Sequence, residues 1–199
     1  KAANECQFRI YKKLITAVDH NLLAPSYLET IDTAPITTIH GFCSEIIKHH
    51  ALLLNISPYF TVLTDDESYF LFKYAYKNAL KKLIKEQNSD LETYIQLNSE
   101  GRLIMDLIAC FKKREKILNY TPSLITNMTP ASKALYKIFL RVFETYSQIK
   151  ISQFSLDYSD LIINCKKLLS MPHLQAKYST SYKFIMLDEC QDIDPDQWE

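Results

Sequence analysis

The sequence predicts a mainly α chain with a small parallel-sheet α/β part, interrupted by an all-helical stretch. Three observations predict it. The apolar run Phe184-Ile185-Met186-Leu187 delivers the acids Asp188 and Glu189, the pattern of a strand buried on both faces of a parallel sheet. Ile36-Thr37-Thr38-Ile39 reads as a short β-branched strand leading into a helix near Gly41. Between 65 and about 151 helical periodicity is almost continuous, with start signals but no long linker or repeat.

In chain order, Lys1 to Val18 reads as an amphipathic helix with two alanines and no breaker. Pro58 to Thr64 is extended and stops at a capping box, Thr64 with Glu67. The helix from Asp65 to Lys85 is expected to carry Phe70, Leu71, Tyr74, Ala75, Asn78 and Leu83, with lysines elsewhere on it. Asp65, Asp66 and Glu67 are first-turn acids that complement the helix dipole. A second capping box is expected at Ser89 and Glu92, followed by a helix near Gly101 running through Leu103, Leu107 and Phe111. That helix ends in Lys112-Lys113-Arg114-Glu115-Lys116, read either as a solvated helix end or as a phosphate contact. Thr129-Pro130 opens a long helix. Ser155 to Ile162 opens the last long helix, with Asp157 a good N-cap and Asp160 three residues on.

Composition narrows the function. The 199 residues are 47% apolar with formal net charge zero, so any nucleic-acid binding must come from local patches. No apolar run approaches a membrane span, and the first residues lack a signal peptide's apolar region, so a cytoplasmic chain with no membrane partner is expected. Five scattered cysteines read as reduced thiols. Adjacent His49 and His50 point about 100° apart and cannot share one metal. The only glycines are Gly41 and Gly101, so the phosphate-cradling pattern G-x-x-x-x-G-K-[ST] does not occur in these residues.

Two adjacent carboxylates at a strand tip suit a magnesium-nucleotide site, one holding the metal's water shell and the other polarising the attacking water. An acidic loop opening a helix at Asp194-Pro195 is the plainer alternative.

Leu187-Asp188-Glu189-Cys190-Gln191-Asp192, followed by Asp194, Pro195 and Gln197-Trp198, resembles the Walker B segment of the UvrD/Rep group of superfamily 1 DNA helicases, nearest to the AddA/RecB-like branch. Lys1-Ala2-Ala3, Glu5, Arg9 and Ile10 resemble motif Ia, with Cys6 in place of the usual methionine. Thr38-Ile39-His40-Gly41-Phe42 resembles motif Ib, where the plainer reading has His40 capping a helix or filling a core edge. Asp157-Tyr158-Ser159-Asp160-Leu161 resembles the segment that returns from the family's helical insertion, where Asp157 is a structural cap in either reading.

The resemblance implies an incomplete P-loop NTPase (RecA-like) domain: residues 1–64 with motifs Ia and Ib, a helical insertion at 65–151, and a return at 152–199 ending at Walker B. It implies that Asp188 holds magnesium, Glu189 activates water, Gln191 senses the γ-phosphate, and Thr38, His40, Gly41 and Phe42 lie against DNA. The implied function is that of an ATP-dependent helicase or translocase, a hydrolase of DNA double-strand-break repair. Its cofactors would be ATP and magnesium, and its partners single-stranded or duplex-end DNA, the remainder of the helicase, or a nuclease subunit. Without Walker A these residues alone are expected to be inactive, and a lone strand at 184–187 would expose apolar edge surface. The rival expectations are a non-catalytic helical module that binds a partner protein or DNA, and a decayed gene remnant.

Overall fold

Threonine followed by a helix-starting residue or proline sets four of the helix beginnings. Thr38, Thr64, Thr121 and Thr129 each accept a hydrogen bond from the backbone N–H three residues ahead, satisfying a donor that the first turn leaves unpaired. A computed structural model describes residues 2–31, 34–188 and 191. The helices are α1 (Ala2–Asp19), α2 (Ser26–Ile31), α3 (Ile39–His50), α4 (Asp65–Lys85), α5 (Ser89–Leu97), α6 (Glu100–Lys112), α7 (Arg114–Leu118), α8 (Pro122–Thr126), α9 (Pro130–Ser152), α10 (Tyr158–Leu169) and α11 (Pro172–Ser181). Two short strands, β1 (Thr61–Val62) and β2 (Ser155–Leu156), pair in parallel, Thr61 opposite Ser155 and Val62 opposite Leu156. Among the described residues no helix is long and apolar enough to cross a membrane.

The capping box at Thr64 is present in full. Thr64 Oγ1 accepts from the Glu67 N–H at 3.3 Å, and the Glu67 carboxylate accepts from the Thr64 N–H at 2.8 Å. The second expected box does not form, and the cap itself is displaced by one residue. Asn88, not Ser89, caps α5, its side-chain oxygen accepting from the N–H groups of Asp90 and Leu91 at 3.1 and 3.0 Å. The displacement has a local cause: Gln87 takes a left-handed conformation (φ 49°) after α4, which brings Asn88 to the cap position.

The chain divides into two compact units, Lys1–Pro58 with Asp160–Glu199, and Tyr59–Ser159. The second unit is built on α9, against which α4, α5 and α6 pack. Aromatic rings pack together within its largely aliphatic core. Phe72 stacks on Phe111 with ring centroids 4.2 Å apart, and Tyr146 meets both rings edge-on at 6.0 and 5.2 Å. The buried face of α4 is Ser68, Phe72, Ala75, Ala79 and Leu83. Phe70 and Tyr74, expected on that face, lie on the opposite one and are exposed. The 3.6-residue period decides this: 68, 72, 75, 79 and 83 fall on one line, and 70 and 74 fall across the helix from it.

Against that core lies a buried charge cluster. Asp157 is 2% exposed, and its carboxylate accepts from Tyr146 Oη at 2.7 Å and Lys150 Nζ at 2.8 Å, with Arg114 at 3.7 Å. Arg114 also donates to Ser159 Oγ at 2.6 Å and to the Phe111 carbonyl at 3.2 Å. The basic run 112–116 is therefore divided. Lys112, Lys113 and Lys116 are exposed, while Arg114 turns inward. Burial alone would raise the Asp157 carboxyl, but the Lys150 and Arg114 charges with the hydrogen bonds from Lys150 and Tyr146 hold it below its ordinary value.

Candidate functional site

In the first unit Thr38, His40, Gly41 and Phe42 sit at the start of α3. Residues 36–38 form no strand, and Thr38 is extended before the helix begins at Ile39 rather than near Gly41. The expected strand at 36–39 is therefore corrected: the Thr38 hydroxyl accepts from the Gly41 N–H at 3.1 Å and takes Ile39 into the helix as its first residue. Thr38, and not His40, is the cap. His40 and Gly41 occupy the first turn, both half-buried. A Cβ on Gly41 would collide with Thr37 Oγ1 and come within 3.2 Å of Thr38 Oγ1, so glycine lets the cap close.

Further along α3, Cys43, Ile46 and Ile47 turn into the unit, and Cys43 shares a thiol–thiol hydrogen bond with Cys165 of α10. That bond holds the Cys43 thiol below its ordinary range against the opposing effect of burial. Both thiols are free. His50 Nε2 lies 3.0 Å from Tyr178 Oη on α11, with the rings edge-to-face. Burial, then the neighbouring charges of Lys177, His49 and His173, pushes the His50 imidazole below its ordinary pKa.

Phe42 places the start of α3 against the segment that leads to the acids. Its ring meets Tyr182 edge-on at 5.5 Å, and Tyr182 in turn stacks on Tyr178 at 6.2 Å. Six residues beyond Tyr182 comes Asp188, exposed and in a bend. Gln191 is exposed as well. Glu189, the expected water-activating residue, lies outside the described residues, as do the Asp194-Pro195 helix start and Trp198.

The run 184–187 does not form the buried strand expected of it. It has no regular secondary structure, pairs with no strand among the described residues, and is exposed, Phe184 at 87% and Met186 at 92%. A strand buried on both faces needs hydrogen-bonded neighbours on each side and layers above and below. Among the described residues the only paired strands are β1 and β2, and these belong to the other unit. Three participants escaped the sequence reading: Tyr182, which receives Phe42, and Arg114 and Lys150, which hold Asp157. For Lys150 a signal was present, since it lies four residues after Tyr146 on the face of α9 that carries Ile138, Val142 and Tyr146.

The family model described as the UvrD/REP helicase N-terminal domain matches residues 1–199. The chain belongs to the UvrD/REP helicase family. It is similar to an ATP-dependent helicase/nuclease subunit of Thermoanaerobacter sp. (strain X514), 30% identical over 99 residues, 48% of this chain and 8% of that protein. Similarity to a probable DNA helicase II homolog of Mycoplasma genitalium covers the whole chain at 26% identity and 25% of that protein. An ATP-dependent helicase/nuclease subunit of Streptococcus equi subsp. zooepidemicus is 27% identical over 160 residues, 74% of this chain and 12% of the relative. The chain thus spans a quarter or less of these UvrD/REP-type relatives. No solved structure matches it.

Proposed function

We propose that residues 1–199 are part of the first RecA-like domain of an ATP-dependent DNA helicase of the AddA/RecB type, acting in DNA double-strand-break repair. In this reading 1–64 and 152–199 belong to the motor domain and 65–151 are its helical insertion. Thr38, His40, Gly41 and Phe42 meet the DNA strand. Asp188 holds magnesium, Glu189 activates water and Gln191 senses the γ-phosphate. The observation that carries the reading is the contact of Phe42 with Tyr182, which joins the start of α3 to the approach to Asp188 within one unit.

The donor chemistry fits. Asp188 offers an exposed carboxylate, the hard oxygen ligand that magnesium accepts while keeping several waters. When bound, ATP and magnesium supply the phosphoryl group to be transferred and the charge that neutralises it. The chain's part is to hold a carboxylate at the metal, a second one at the attacking water, and a DNA-facing turn beside them. The exposed apolar run 184–187 fits a strand whose sheet neighbours come from other parts of such a motor.

The test is complementation with a segment that supplies the glycine-rich loop and lysine of a Walker A motif. DNA-stimulated ATP hydrolysis should appear on mixing or fusion and be abolished by Asp188→Ala and by Glu189→Gln. Hydrolysis that never appears with a correctly folded complex, or that survives both substitutions, refutes the assignment.

A further inference from the structure

The first unit is assembled from two stretches of chain, Lys1–Pro58 and Asp160–Glu199, with the whole second unit inserted between them. Cys43 of α3 lies on one stretch and Cys165 of α10 on the other. Each side chain turns into the interior, at 5% and 4% exposed, and the two sulfurs are hydrogen-bonded to each other.

Filling a core does not require sulfur on both sides of one contact, since a buried free cysteine packs as a small hydrophobe. Two thiols that face each other from different helices are also the reactants of a disulfide, which needs its sulfurs close and its Cβ atoms pointing together. Cys110 is placed otherwise: burial and the Asp106 charge both oppose its ionisation and push its thiol up to about 11.

We propose that Cys43 and Cys165 form a reversible oxidation site, at which hydrogen peroxide converts the thiol pair into a disulfide that staples α3 to α10. Cys43 is the attacking sulfur, because the Cys165 thiol donates to it and stabilises its thiolate. The thiolate attacks one peroxide oxygen, the O–O bond breaks, and the departing hydroxide takes up the proton that Cys43 released. A sulfenic acid and one water result. The Cys165 sulfur then attacks the Cys43 sulfur, the S–OH bond breaks, and hydroxide leaves with the Cys165 proton as a second water. Each sulfur is oxidised by one electron and each peroxide oxygen is reduced by one. A small oxidant is needed because both sulfurs are buried.

The bond would close a loop on the order of 100 residues that contains the whole second unit, so it restricts the unfolded chain strongly and holds the two stretches of the first unit together. Cys43 also follows Phe42 directly, so the staple anchors α3 next to the ring that meets Tyr182. The site uses none of the residues assigned to the motor chemistry and stands independently of that reading.

The experiment treats the full 199-residue chain with hydrogen peroxide, unfolds it, blocks the remaining thiols with N-ethylmaleimide and maps the digested peptides by mass spectrometry. A Cys43–Cys165 link, two hydrogens lighter than the separate peptides and released by dithiothreitol, should be the main cross-link although the chain holds five cysteines. The thermal midpoint should rise by about 5 °C or more on oxidation, and Cys43→Ser and Cys165→Ser should each abolish the rise. In Cys165→Ser the sulfenic acid has no second sulfur to meet, so dimedone should label Cys43. The mapping uses the parent chain and decides the matter even where a serine variant fails to fold.

Cys43 and Cys165 that stay fully blockable after peroxide overturn the proposal, as does a dominant cross-link between other cysteines or between two chains. So does a midpoint that does not rise on oxidation. An equal yield of the Cys43–Cys165 link from chain oxidised in urea overturns it too, because the fold would then contribute nothing to the pairing.

Discussion

Replacing Asp157 by asparagine keeps the size of the side chain and removes its charge, so it isolates what the carboxylate does for the second unit. The carboxylate is 2% exposed, and the ammonium of Lys150, itself 4% exposed, lies 2.8 Å away. Asp157→Asn leaves that ammonium in the interior without its counter-charge, and the guanidinium of Arg114 loses the same partner at 3.7 Å. Breaking a buried pair from one side costs about 3–5 kcal/mol, because the remaining charge stays desolvated. That is a large part of the roughly 5–15 kcal/mol that holds a domain folded. Urea unfolding followed by circular dichroism should therefore show the midpoint falling by about 2 M, at a slope of about 2 kcal/mol per M.

Removing both members of the pair, as in Lys150→Met with Asp157→Leu, should recover part of this loss, since the ammonium is gone while Arg114 keeps its bonds to Ser159 and the Phe111 carbonyl. The pH dependence has a definite sign. The folded carboxyl titrates below its unfolded value of about 3.9, so its contribution is complete above that pH and disappears as the pH falls through the folded pKa. The difference between parent and Asp157→Asn should accordingly close in acid. An Asp157→Asn stability within about 1 kcal/mol of the parent, or a difference that grows below about pH 4, would refute the role assigned to the buried pair.

Other outcomes follow from single residues. Asn88→Ala should cost about 1 kcal/mol through loss of the α5 cap, whereas Ser89→Ala should be nearly neutral, and paired urea titrations decide between them. Phe72→Ala should cost about 3–5 kcal/mol because the ring is fully buried against Phe111, while Phe70→Ala should leave the unfolding midpoint in place. His50 should titrate below about 6.5 by proton NMR. Its depressed pKa means that the first unit loses stability as the pH falls below that value, and His50→Gln should flatten this dependence.

Particular elements show how far the residues could be read without coordinates. The limits of α4, from Asp65 to Lys85, follow from the Thr64–Glu67 box and the lysine-rich last turn, and α9 follows from Thr129-Pro130. These are interactions between residues three or four apart, which the local chain settles alone. The same locality misled at Ser89, where the left-handed Gln87 moved the cap to Asn88. It misled again over Phe70 and Tyr74, because large apolar side chains usually signal a core face, and here the small residues Ser68, Ala75 and Ala79 are among the buried ones.

The membership of the UvrD/REP family was legible from short motifs in order, since motif residues are recorded one by one along the chain. So was a mainly helical architecture, since helix starts and periods are local. Three things were settled only by packing across long separations: the pairing of β1 with β2 around the whole helical stretch, the placement of Phe42 on Tyr182, and the burial of Asp157 between Lys150, Tyr146 and Arg114. The run 184–187 marks the boundary most clearly. Its composition favours an interior strand, but burial is conferred by neighbours, and where no neighbour among the described residues pairs with it the same four residues lie in solvent.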